Sequence, residues 1–387
     1  MSGQTSDSQS SDGGGNNPVP IVLNMHTAGL TTKPGLGSFT LEMPSAEPFN
    51  RTKKEEYPAV LLEIRDNDQV ACLSRMKQLQ HENILKLHFF DDASVGSGNA
   101  PSIRAYTEMY TGLVSDLFIP QFLVNPDTRL VPSQEFQEMV ISSLYGLINI
   151  FENNLYHGNF SWNTTLYHQD KNDGKRTLKL SNFEMIKNKS VLECQIADVH
   201  ALGHALEEVS EFMQFHYPNW TENTCVLIDD LAISLAVVTA TSLSNLLRKI
   251  KEEIEDHVFF WDGKRKKSFY AYEIPQVWDN ENFLQIFRGS QSNPALPWHS
   301  FWKTDIFMEE MKNYRSEMGI REYNVYSLKD FIRFISGMYT HQEDIKKKFP
   351  HRSVDGTVHS KHPRLLLDLK AGKAAIDEAD DMDLDDE

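Results

Sequence analysis

At 387 residues the chain has room for two or three domains, each able to bury a core, and its 40% hydrophobic content is that of a chain that folds. A formal charge of −17 disfavours a generic, charge-driven nucleic-acid binder. Cys72, Cys194 and Cys225 show neither paired nor metal-ligand spacing, which argues against a disulfide framework or structural zinc and for a reducing, cytoplasmic setting.

Residues 1–32 are rich in Ser, Gly, Asn and Thr and hold too few apolar groups to offset ordering entropy, so disorder is expected there. Lys33–Met43 reads as a glycine-rich hairpin with Gly35 and Gly37 at its turn, and residues 44–56 as a polar insertion. Tyr57–Arg65 is apolar and reads as a strand. In 67–80, Val70, Leu73, Met76 and Leu79 recur three apart and predict a short helix. The run His81-Glu-Asn-Ile-Leu-Lys-Leu-His-Phe-Phe90 adds a turn and a strand, and Tyr106–Gly112 reads as a hinge.

The helix over 133–153 is the clearest element, with Phe136, Met139, Val140, Ser143, Leu144, Leu147, Ile148 and Phe151 on one face. Asn172-Asp-Gly174, between Leu166-Tyr167 and Leu178-Lys-Leu180, is a hairpin signature. Residues 227–255 read as helical. Their most apolar run, Leu231–Ala240, falls short of the roughly 20 residues that span a bilayer and is expected to be a buried helix. No basic start followed by an apolar run marks a secretory signal, and no membrane association is expected.

Further on, Phe307, Met311, Tyr314 and Met318 line one face of a helix over 305–318. Leu328, Phe331, Ile332, Ile335, Met338 and Tyr339 line another over 327–341, with Ser327 as its cap. The basic clusters Lys264–Lys267 and Lys346–Lys348 read as solvated faces in preference to RNA contacts. Residues 371–387, ending DEADDMDLDDE, are expected to be an acidic, disordered tail.

Taken in order, these pieces resemble a protein kinase whose chemistry has been replaced. Tyr156–Met185 has the outline of a catalytic loop, a hairpin and a metal-binding turn. His157-Gly158-Asn159-Phe160 stands where a kinase has H-R-D-L, with Thr164 at the metal-binding Asn. Asn182-Phe183-Glu184 stands where D-F-G would be. Asp198–Gly203 resembles the D-x-x-x-x-G start of a kinase helix, and no A-P-E motif precedes it. Aligned this way, Leu62 takes the place of the phosphate-binding lysine, unless the register slips to Glu63 or Arg65, and Cys72 that of the helix glutamate. The phosphate-covering loop keeps Gly35 and Gly37 but has Thr40 at its third glycine. Phosphoryl transfer needs the lysine, the metal ligands and the base together, so kinase activity is not expected. The resemblance implies a site that takes ATP or ADP without catalysis, or none, and no bound metal; a neutral amide holds Mg²⁺ weakly.

Asp256-His-Val-Phe-Phe-Trp261, then Phe283–Ser290, Ser327–Ile335 and His362-Pro-Arg-Leu-Leu, resemble the KEN ribonuclease module of the unfolded-protein-response kinase–endoribonuclease and ribonuclease L. That family cuts RNA without metal, using His, Tyr and Arg. Its R-N-x-x-x-H motif aligns with Ser336-Gly337-Met-Tyr-Thr-His341, so His341 survives while Arg and Asn are replaced by Ser336 and Gly337. Tyr323 and Tyr326 are the candidate acids, and Arg333, one turn earlier, is a poor substitute for the Arg. The implied fold class is α+β: a two-lobed kinase-like domain over 33–261 followed by an all-α KEN-like domain over 262–370. The implied function is that of a catalytically degenerate regulator or scaffold, pairing as a homodimer or with an active kinase–KEN relative. The alternative is a metal-independent RNA endonuclease gated by a ligand in the kinase-like pocket.

Overall fold

The computed structural model describes residues 23–26, 36–43, 53–63, 74, 77–92, 102–108, 110–125 and, apart from short breaks at 126–130, 182, 185, 187, 218–220 and 304, the chain on to 384. It is mixed helix and sheet, in two compact units. The first comprises residues 1–77 with 86–109, and the second 78–85 with 110–387. The boundary at Met109 falls inside the expected hinge.

The first unit is an antiparallel sheet of five strands: β1 (Leu23–His26), β2 (Leu36–Met43), β3 (Lys53–Glu63), β4 (Leu87–Asp92) and β5 (Ser102–Thr107), in the order β1-β2-β3-β5-β4. β1 lies within the stretch expected to be disordered and pairs with β2 from Leu23↔Leu41 to His26↔Ser38. β3 begins four residues earlier than expected and takes in part of the polar insertion. It pairs with β2 from Lys53 to Val60 but with β5 only from Ala59 to Glu63. Pro58, which has no N–H to donate, thus sits where β3 has a neighbour on one side only. Apart from Ser74 and Lys77–Gln80, the helix expected over 67–80 lies outside the described residues.

The second unit opens with a sequence-local surprise. His81–Leu85, expected as the approach to a strand, belongs to this unit and not to the sheet of the first. His81 Nδ1 accepts from the Asn83 N–H at 3.1 Å, closing the turn. Asn83 and Leu85 then bond the backbone of Leu180, with Ile84 bridging Leu180 in parallel. A three-stranded sheet follows: β6 (Gly112–Leu113), β7 (Leu166–Gln169) and β8 (Arg176–Lys179). Gly174, at φ +74°, turns the β7–β8 hairpin in a backbone region that side chains disfavour.

The helices are α1 (Pro120–Leu123), α2 (Gln134–Glu152), α3 (Val191–His216), α4 (Thr221–Ala236), α5 (Leu243–Lys249), α6 (Gly263–Ser268), α7 (Ile274–Val277), α8 (Glu281–Arg288), α9 (Ile306–Glu317), α10 (Leu328–Thr340), α11 (Gln342–Lys348), α12 (Val354–Lys361) and α13 (Leu365–Leu384). α2 is capped by Ser133, whose hydroxyl accepts the Phe136 N–H. Its buried face is the expected one with one exchange: Ile150 is buried and Ile148 only half so. Residues 227–255 are not one helix, because α4 ends at Ala236 and α5 starts anew after a Ser242 cap. α3 begins seven residues before Asp198. A capping box starts it there, with Ser190 bonding the Glu193 N–H and Glu193 returning to the Ser190 N–H at 2.7 Å.

The C-terminal helices share the second unit's core. Among them α10 has Phe331, Ile332, Phe334, Ile335 and Met338 fully buried, and Trp298 stacks on Phe334 at 5.3 Å. Asp230 on α4 accepts from His257 Nε2 and Arg364, both at 3.1 Å, so the His-Pro-Arg run is bonded to the helices before it. α13 runs through the start of the expected tail. Leu365, Leu369, Gly372 and Ile376 are buried at helical spacing, and Asp377 and Glu378 are exposed.

Candidate functional site

Two clusters correspond to the residues singled out in the sequence. In the first, the His157-Gly158 turn is clamped by a distant carboxylate. Asp198, on α3, accepts the His157 N–H at 2.6 Å and the Gly158 N–H at 2.7 Å, one on each oxygen. Gly158 has φ +76°, and a Cβ there would overlap the Glu184 carbonyl oxygen, so only glycine fits. His157 is fully enclosed, 4.4 Å from the Phe183 ring, with Nδ1 accepting the Asn159 N–H at 3.2 Å. Burial pulls its pKa down to about 4, the Ser181 backbone acting the other way. Burial pushes Asp198 up to about 7 against its two N–H donors.

Around this clamp the neighbouring polar side chains bond locally. Thr164 donates to the Asn159 carbonyl at 2.8 Å and accepts the Ser161 N–H at 3.1 Å, so its hydroxyl braces the loop. Asn159 is exposed. Trp162 donates to the Ala205 carbonyl at 2.7 Å and ties the loop to α3 a second time. Asn182 and Gly35 lie outside the described residues. Gly37 pairs with Ala59, and Leu62 with Ile103, in the sheet of the first unit. Among the described residues, no group of three His, Cys, Asp or Glu is placed to hold a metal ion.

The second cluster lies where α9 meets the end of α10. The His341 ring packs on Tyr314 at 4.1 Å, and the His341 backbone N–H donates to the Gly337 carbonyl. A Cβ on Gly337 would stand 3.3 Å from the Tyr323 hydroxyl and 2.6 Å from the Met311 methyl. An asparagine there would therefore have to displace Met311. Arg315 lies over the Tyr323 ring at 4.2 Å and donates to the Arg321 carbonyl. Burial pushes the Tyr323 hydroxyl up, Arg315 opposing it. Ser336, aligned with the family's Arg, faces the core, and its hydroxyl donates to the Tyr270 carbonyl at 2.5 Å. Tyr326 is 67% exposed on a turn, away from the α9–α10 packing. Helical spacing places Tyr314 on the α9 face but does not mark its contact with His341, nor that of Arg315 with Tyr323.

Lys346–Lys348 is the exposed face expected, whereas Lys264–Lys267 is solvated only in part. Lys266 is buried and pairs with Asp355 at 2.7 Å. Arg265 bonds Glu273 and covers Trp261 at 4.1 Å. Lys348 pairs with Glu310 at 2.6 Å.

No family model matches this chain, and no curated sequence does. Among solved structures it is similar to the Drosophila melanogaster PAN3 pseudokinase, at 14% identity and a TM-score of 0.40, over 82% of this chain and 86% of that one. Among the described residues no helix is long and apolar enough to cross a membrane.

Proposed function

We propose that the chain is a pseudokinase-like scaffold: a kinase-like core that keeps its loop architecture and has lost its phosphotransfer groups, followed by a KEN-like helical segment. The observation that carries this reading is the Asp198 clamp. A buried carboxylate holds the His157-Gly158 turn while the groups beside it are the amide of Asn159 and the bracing hydroxyl of Thr164. The loop is built to be held in place, with no carboxylate at the base position. In this reading ATP or ADP binds without being consumed, and the chain acts by pairing, with itself or with an active kinase–KEN relative, to tune RNA processing or stress signalling. The test is to incubate purified chain with labelled ATP and Mg²⁺, and to determine its mass in solution with and without such a relative. No phosphate transfer, together with a stable pair, is expected. Phosphate transfer by the parent chain that Asn159→Ala abolishes, or a chain that stays a lone monomer in both mixtures, sinks the proposal.

A second reading rests on the His341–Tyr314 contact with Tyr323 and Arg315 alongside. It supplies a histidine, two tyrosines and a guanidinium for metal-independent RNA cleavage. Stem-loop RNA incubated with the chain and with His341→Ala decides it: cleavage lost in the variant supports an endonuclease, and intact RNA in both supports the scaffold.

A further inference from the structure

The second unit contains a cavity of about 530 Å³, within the range of small-molecule sites. Gln134, Glu138, Ile141 and Tyr145 of α2 form one wall. Glu255, Phe260, Trp261 and Asp262 face them, and the Lys266–Asp355 pair also lines it. None of these residues belongs to the two clusters described above.

The charges of the lining are unequal. Lys266 is its one cation and is matched by Asp355, leaving the carboxylates of Glu138, Glu255 and Asp262. Asp262 is committed to capping the Arg265 N–H, and Glu138 accepts from Gln134. Burial raises the Glu255 carboxyl, with Lys251 only partly offsetting it, and Tyr145 in turn feels Glu255. A carboxylate short of solvation beside an aromatic ring is a receptor for an organic cation. Lys266 provides an independent second contact. Its side chain is 7% exposed, and among the described residues its ammonium makes one hydrogen bond, to Asp355, out of three N–H groups. As the one cation of the lining, it is the group that attracts a ligand carboxylate.

We propose that this cavity binds a basic amino acid, with its guanidinium or ammonium group toward Glu255 and Glu138 and its carboxylate on Lys266. The source is either the free amino acid or the C-terminal residue of a peptide. Isothermal titration of the full chain with L-arginine, with the tripeptide Gly-Gly-Arg and with agmatine, which lacks the carboxylate, tests it. L-Arginine or the tripeptide is expected to bind, the tighter of the two naming the source, and agmatine at least about tenfold more weakly. Glu255→Gln should weaken binding about tenfold, the scale of one partly desolvated charge contact, and Glu138→Gln, at an exposed position, about twofold, both leaving the urea midpoint in place. Agmatine binding as tightly as L-arginine, affinity indifferent to both substitutions, or no heat with any probe at millimolar concentration overturns the proposal.

Discussion

Replacing Asp198 with asparagine tests the clamp on the His157-Gly158 turn. Each carboxylate oxygen accepts one backbone N–H. Asparagine has one acceptor oxygen, and its NH₂ would confront the other N–H. One buried donor is then unsatisfied, at a cost of about 1–3 kcal/mol. Asp198→Ala strands both donors and should cost about 2–6 kcal/mol, a large share of the 5–15 kcal/mol typical of a folded domain. All six tryptophans lie between residues 162 and 302, so intrinsic fluorescence during urea unfolding reports on the second unit alone. An asparagine variant within about 0.5 kcal/mol of the parent, or equal in cost to alanine, refutes the reasoning, because surface substitutions routinely fall in that range. The pH dependence gives a second check. Asp198 is raised to about 7, so in the parent it adds stability at low pH that is lost as pH rises through 7. Asparagine removes that term. Its penalty should therefore grow by about 1 kcal/mol between pH 7.5 and pH 6, at about 1.4 kcal/mol per unit. A penalty independent of pH would mean that Asp198 is ionised throughout.

Other outcomes follow from neighbouring geometry. Gly158→Ala forces a side chain into positive φ and against the Glu184 carbonyl, and should cost at least about 3 kcal/mol in the same urea titration. His157 is lowered to about 4, so its neutral form adds stability present above pH 6.5 and lost as pH falls toward 4; His157→Phe should flatten that slope in urea midpoints measured across the window. Asp355→Ala leaves the buried Lys266 ammonium unpaired and removes the Tyr339 hydroxyl's partner, for a loss of about 3–5 kcal/mol, whereas the double change Lys266→Met with Asp355→Leu removes the stranded charge and should cost only the hydroxyl's lost partner, about 1–3 kcal/mol, in thermal melts.

Much of the local structure was readable along the chain. The spacing of apolar residues placed α2, α9 and α10 to within a residue or two, and Ser133 and Ser327 cap their helices as Ser does wherever a first turn needs an acceptor. The Ser190-x-x-Glu193 box was equally legible and was overlooked because Asp198 looked like a helix start. A helix begins where its first N–H groups are satisfied, and that occurs at Ser190. The acidic C-terminal stretch misled for a related reason. Composition counts charges, whereas α13 needs only a buried face, which Leu365, Leu369 and Ile376 supply.

Asn159 and Thr164 were legible in the sequence by residue type alone, since neither an amide nor a hydroxyl does the work of a carboxylate base wherever it sits. Their fate was decided by the fold. Whether Asp198 reaches back 40 residues to the loop, whether Ser336 faces the core or the surface, and whether Lys266 finds Asp355 89 residues away are questions of which distant groups end within 3 Å of each other. Periodicity encodes the face of a helix because it is a property of neighbours on one element. Pairing across the chain depends on how the elements pack, and no spacing along the sequence carries it.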